Sequence, residues 1–338
     1  GMAWSILPCL RVGGMRLFHT ESSDWSEKSI PRVQSLARLL VMTYLTLSVC
    51  CVLSYWLAGM TLFDAVNHAM ATVSTGGFAT DDRSMGRFSL GVLWVSILFM
   101  ILSALPFTLL IGFFRRPSMD LFRNQQVLGF FAIIVVVSLL LTADLIDLQV
   151  FAPFEAFTQA SFNLVSVITT TGFASADYTR WGTFSIALFF VVMFIGGCSG
   201  STSGGMKVFR FQLSYLFLRS QIRKLIHPSG VFVIQYNHRP VQDDIILSAV
   251  AFSFLFFVTL AVVTLLLALM GLDLMTSLTA AATALTNVGP GLGEIVGPAG
   301  NFASLPVAAK WLLSFAMLMG RLELLTLMVL FTPMFWRG

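Results

Sequence analysis

Long apolar runs alternate with shorter mixed ones along the chain, in an order that comes round three times. The run from about Leu39 to Leu57 is long enough to cross a bilayer, whose hydrocarbon core of roughly 30 Å takes about 20 helical residues. TLFDAVNHAMATVS follows from Thr61 and is too short and too polar to cross alone. It predicts a half-helix that enters the membrane and turns back through TGGFATDD at Thr75. A second span is expected from about Gly91 to Phe114, ending at Arg115, Arg116 and Pro117. The order then repeats: a span from about Val127 to Leu141, PFEAFTQASFNLVSVI from Pro153, the loop TTTGFAS, and a span from about Thr183. It repeats again with Ile245 to Met270, LMTSLTAAATAL from Leu274, TNVGPGLGE, and a last span from about Val307 to Phe335. The central loop glycines, Gly77, Gly172 and Gly289, lie 95 and 117 residues apart, so each unit is roughly a hundred residues long. The expected fold is an all-α membrane protein of pseudo-symmetric repeats: helix, re-entrant helix, loop, helix.

Composition agrees, with 57% hydrophobic and 11% charged residues and a mean hydropathy of +0.86, values that exclude a soluble enzyme. The net charge of +4 matters less than its placement. The side that receives the loops carries nine acidic against four basic residues, and the opposite side fifteen basic against six acidic. The basic side is therefore cytoplasmic. An acidic outer face would also concentrate cations, although topology alone accounts for the bias equally well. Cys9, Cys50, Cys51 and Cys198 show no ligand spacing. Neither a disulfide framework nor a transition-metal site is expected.

An irregular backbone inside a membrane is tolerated only in protein or beside a water-filled cavity. Three such loops imply a polar cavity. Ser74, Thr75, Gly76 and Gly77 correspond to Thr169, Thr170, Thr171 and Gly172, and the third loop offers Thr286, Asn287, Val288 and Gly289. Glycine at a fixed place permits positive φ and lets carbonyls turn inward, so hydroxyl and peptide oxygens replace part of an ion's water shell. Neutral oxygens suit a monovalent cation, and the loop cores hold no carboxylate for calcium or magnesium.

The span after the second loop contains FIGGCSGSTSGGMK from Phe194. Gly196, Gly197, Gly200, Gly204 and Gly205, with Ser201, Thr202 and Ser203 among them, should break the helix at membrane depth and leave a flexible loop suited to gating. Close helix packing on small residues is the plainer alternative. Arg321 lies near the middle of the last span, two residues before Glu323. That spacing does not share a helix face, so Arg321 is expected to face the cavity or anchor the broken segment, or else to form an interhelical ion pair. The GxSG match at Gly197 to Gly200 lacks a membrane-embedded histidine base, and His68 reads as a packed half-helix residue. No covalent chemistry is expected. SQIRKLIHPSG from Ser220 is either a solvated basic loop or a contact for anionic lipid or a cytosolic partner.

Together STGGF, TTTGF, TNVGPG, the Gly/Ser segment and Arg321 resemble the Trk/Ktr/HKT superfamily of potassium transporters, most closely the bacterial Trk-type membrane subunit. The resemblance covers essentially the whole chain and implies K+ bound at the three filter loops, a gating loop from Gly196 to Gly205, and Arg321 as gating arginine. It further implies a homodimer in the bacterial inner membrane, docked on a cytosolic nucleotide-binding subunit, with no covalently bound cofactor and no nucleic-acid partner. Family members carry four repeats. Residues 1–38 then read as the end of a first repeat plus a linker, with 39–126, 127–244 and 245–338 as the second to fourth. Three parts do not close a four-part filter, so the chain is expected to be a fragment without normal selective conduction on its own. A non-conducting membrane scaffold that binds cytosolic partners is the competing reading.

Overall fold

The computed structural model describes residues 33–115, 119–230 and 232–322. The opening stub, Cys9, Glu323 and the end of the last span lie outside the described residues. The first of the three described repeats comprises α1 (Val33–Leu57), the re-entrant α2 (Leu62–Val73), α3 (Leu90–Ala104) and α4 (Phe107–Arg115). After the short α5 (Asp120–Arg123) come α6 (Gln125–Asp147), the re-entrant α7 (Pro153–Ile168), α8 (Thr183–Val192) and α9 (Val208–Ile226). A two-stranded hairpin, β1 (Gln235–Tyr236) and β2 (Arg239–Pro240), leads to α10 (Asp243–Leu269), the re-entrant α11 (Leu274–Thr286) and α12 (Val307–Arg321). Among the described residues three helices are long and apolar enough to cross a membrane, Ala37–Leu57, Gln125–Asp147 and Asp243–Leu269, and a bent pair passes the same test together. In every repeat the spanning helix packs on its own re-entrant helix, α1 on α2, α6 on α7 and α10 on α11. The spanning helices leave many large apolar side chains exposed, Leu57 and Leu269 among them, which is the surface that lipid covers.

The re-entrant helices start where the sequence places them, and each start is chemically defined. Thr61 caps α2 by accepting from the Asp64 N–H, Pro153 opens α7, and the Asp273 carboxylate caps α11 by accepting from the Thr276 N–H. Those Thr276 bonds hold the Asp273 carboxyl below its usual range. Asp64 and Glu155 occupy the first turns of α2 and α7. Three of the outer acidic residues therefore sit at helix N-termini, where the peptide dipoles favour negative charge.

One expected span is sharply bent. The helix predicted from Gly91 to Phe114 is two helices bent by 103°. Pro106 has no N–H to donate and forces Leu105 into an extended conformation, φ −82° and ψ 157°. The carbonyls freed at the end of α3 do not go unpaired: Ala104 O accepts from the Cys198 N–H and Ser103 O from the Thr202 hydroxyl. Beyond the bend, the Phe107 N–H donates to Gly200 O. The break in one repeat is thus the seat of the glycine-rich segment in the next.

Candidate functional site

All three re-entrant helices end at the loops. Their last turns close on Ser74, Thr169 and Asn287, so three helix C-termini, each with about half a negative charge, abut the same region. Beyond them the loops share one backbone pattern. Thr75 (φ 52°) and Gly77 (φ 67°) are left-handed, as are Thr170 (56°) and Gly172 (85°), and Asn287 (58°) and Gly289 (110°). In each loop one right-handed or extended residue separates the two. Alternation of hand rotates successive peptide planes so that neighbouring carbonyls face one side, which an ordinary strand does not allow. A left-handed threonine costs about 1–3 kcal/mol, and two loops carry one.

The loops pack in sequence. A methyl group on Gly77 would fall on the Thr171 carbonyl oxygen, and one on Gly172 would fall on the Val288 carbonyl oxygen. Gly289 has no such neighbour; its nearest atom is the Gly172 Cα, 3.9 Å from an added Cβ. The middle loop is buried and the first opens outward, as the aromatic after the central glycine shows: Phe173 is 1% exposed and Phe78 80%. The three predicted loops therefore meet as an arc.

Side chains behind the loops brace them, and sequence reasoning missed these. The Ser166 hydroxyl donates to Phe173 O at 2.6 Å, and the Asn163 amide donates to Ser175 Oγ at 2.9 Å, while Gln159 accepts from the same serine. On α11, Thr283 Oγ1 accepts from the Gly289 N–H at 2.9 Å and the Thr279 hydroxyl donates to Leu292 O at 3.0 Å. The signal was present as hydroxyl and amide residues on the buried faces of otherwise apolar half-helices. In the first described repeat Arg87 bridges Asp64 at 2.9 Å and Asp81 at 3.1 Å, closing the segment after the loop onto the foot of α2. The Arg83 N–H and the Arg87 guanidinium hold the Asp81 carboxylate below its usual range. His68 is fully buried, its Nδ1 within 2.9 Å of Asp64 O and its ring against Phe88 and Phe173.

The glycine-rich segment lies directly under the arc. Its neck is closed by bonds from the Gly196 N–H to Met206 O and from the Val208 N–H to Gly197 O. Between them the chain touches all three loops. The Thr75 hydroxyl donates to Thr202 O at 3.0 Å, the Gly204 N–H donates to Thr170 Oγ1 at 2.6 Å, and a methyl on Gly204 would meet Thr286 O at 2.8 Å. Lys207 donates to the Ser203 carbonyl and hydroxyl, fastening the segment from the other side. Arg321 ends the described part of α12, next to Gly320, whose missing side chain lets that helix rest on the Leu285 carbonyl at the base of the third loop. Its expected neighbour Glu323 lies outside the described residues. The backbone N–H of Ser199, in the GxSG match, donates to Gln126 Oε1, and among the described residues no three His, Cys, Asp or Glu side chains group as a metal site.

Spanning helices, re-entrant helices and an arc of carbonyl-bearing loops over a strapped segment define a multi-pass membrane protein with an ion-pore architecture. Residues 1–337 match the family model described as TrkH, cation transport protein. The chain belongs to this family; it is a transport protein and not an enzyme. It is 55% identical over 338 residues to the Trk system potassium uptake protein TrkI of Halomonas elongata, covering 99% of this chain and 68% of the relative. It is 36% identical over 344 residues to TrkH of Vibrio parahaemolyticus, covering 100% and 70%. The crystal structure of that potassium transporter superposes with a TM-score of 0.86 at 35% identity, over 92% of this chain and 67% of the other.

Proposed function

We propose that the chain takes up K+ across the bacterial cytoplasmic membrane, with the ion held at Ser74 to Gly77, Thr169 to Gly172 and Thr286 to Gly289. One observation carries the reading: three loops with the same alternation of left-handed residues pack side by side at the C-termini of three re-entrant helices. Peptide oxygens and helix-end dipoles stabilise a monovalent cation without the charge density that would trap a divalent one. Residues 39–126, 127–244 and 245–338 each supply one pore repeat, and the exposed flank at Phe78 leaves room for a fourth loop to close the arc. The segment from Gly196 to Gly205 acts as the gate, with Arg321 of the last helix as the gating arginine. The test is saturable Rb+ uptake into K+-starved cells producing the chain joined to a fourth filter repeat, the background for every uptake measurement below. Uptake should be competed by K+ and weakly by Na+, abolished by substitution of the central glycines, and absent from the chain alone.

Two partners follow from α9. Phe211, Tyr215, Leu218, Ile222 and Leu225 are exposed at alternating spacings of four and three residues, the repeat of a coiled-coil seam. The polar side of the last turns carries exposed Arg219, Arg223 and Lys224, too many charges for a lipid-facing helix. A second copy of the chain fits the apolar seam, and the basic side suits an acidic face of a cytosolic nucleotide-binding subunit. Ile222→Arg is expected to turn a dimer into a monomer by light scattering in detergent; an unchanged dimer would move the interface elsewhere.

A further inference from the structure

On the cytoplasmic side a cavity of about 780 Å³ opens between α4, α5, the foot of α6 and the hairpin. Its wall carries Arg123, Arg239 and His238, with Asp120 as the single carboxylate among the described residues of the lining. The ion pairs among the described residues lie elsewhere, on Arg83, Arg87 and Arg180, so neither Arg123 nor Arg239 has a carboxylate partner there. Asn124, also on the wall, caps α6, a 23-residue helix with no acidic residue in its first turn. Its N-terminal dipole adds to the two guanidiniums.

The wall is held in shape before anything binds. Asn237 and His238 form the hairpin turn with φ 49° and 62°, the left-handed pair that a two-residue hairpin needs. The Gln125 N–H donates to Asn237 Oδ1 at 2.8 Å, and the Tyr236 hydroxyl donates at 2.6 Å to Gln212, which in turn donates to Gln125 O. These bonds pin the hairpin to the foot of α6, so that Arg239 lines the same cavity as Arg123.

We propose that this cavity is a binding site for a phosphate-bearing anion, gripped by Arg123 and Arg239 at the N-terminus of α6. Planar guanidiniums bind phosphate oxygens in pairs, and basic pockets at the cytoplasmic edge of a bilayer suit headgroups of anionic lipid as well as free phosphates. Pro106, Thr108 and Leu109 also line the cavity, and Phe107 between them holds Gly200 of the strapped segment. An occupant therefore braces the bend on which that segment rests. Binding stands independently of the transport reading; only its effect on the pore rests on it.

The test is thermal unfolding of the purified protein in detergent, with inorganic phosphate in one arm, phosphatidylglycerol in a second and phosphatidylcholine as the zwitterionic control. The expected result is a rise of about 3 °C or more with a phosphate-bearing anion, weakened by salt and lost in the Arg123→Gln, Arg239→Gln double variant. A rise with phosphatidylglycerol alone names a lipid headgroup, and a rise with inorganic phosphate names a soluble ligand. Both arginines are exposed, so the double variant should unfold at the wild-type temperature when no anion is added. Arg239→Lys, which keeps the charge but not the paired geometry, should retain part of the shift. No rise in either arm, or an equal rise in the double variant, overturns the proposal.

Discussion

Gly172→Ala is expected to lower Rb+ uptake by about 100-fold, equivalent to roughly 2.7 kcal/mol, while the protein still reaches the membrane at its normal level. Two costs combine. An alanine at φ 85° is strained by about 1–2 kcal/mol, and its methyl would occupy the place of the Val288 carbonyl oxygen, so the second and third loops must separate. Gly77→Ala should act in the same way through Thr171 O. Gly289→Ala should be the mildest, because its methyl meets nothing closer than the Gly172 Cα at 3.9 Å and only the strain at φ 110° remains. Uptake assays beside immunoblots of membrane fractions read this order. Equal losses at all three glycines, or normal uptake by Gly172→Ala, would contradict a site built by loop-to-loop contact.

Thr170→Val tests the gate in the opposite direction. The hydroxyl accepts the Gly204 N–H at 2.6 Å, and removing it leaves a buried donor unpaired just where the segment meets the arc. Loss of such a bond costs about 1–1.5 kcal/mol, which shifts a closed-to-open equilibrium by about 5- to 10-fold. Valine has the shape of threonine and leaves the Thr170 carbonyl in place. Resting uptake should therefore rise by that factor at an unchanged Rb+ to Na+ ratio. A fall in uptake with a changed ratio would instead assign the hydroxyl to the ion.

Periodicity and punctuation made much of this legible. The stretches from Thr61, Pro153 and Leu274 announce half-helices because they are too short and too polar to span, and the five glycines from Gly196 to Gly205 announce the broken segment. The bend at Pro106 carried the same kind of signal, but the apolar residues on both sides outweighed one proline in a pattern judged by hydrophobicity. Two features left no mark. Thr75 and Thr170 adopt positive φ although β-branched residues disfavour it, a choice imposed by the neighbouring loops and not by local preference. The cytoplasmic cavity joins Arg123 to Arg239 across 116 positions of sequence, and only the hairpin's bonds to α6 bring them together.

The central claim is that an alkali ion rests among the loop oxygens, and anomalous diffraction from crystals soaked in Rb+ tests it most directly. A peak within coordination distance of backbone oxygens from all three loops, Thr75 to Gly77, Thr170 to Gly172 and Asn287 to Gly289, is the predicted result. Rb+ density confined to the outer carboxylates such as Asp64, Asp81 and Asp273, with none between the loops, would contradict it.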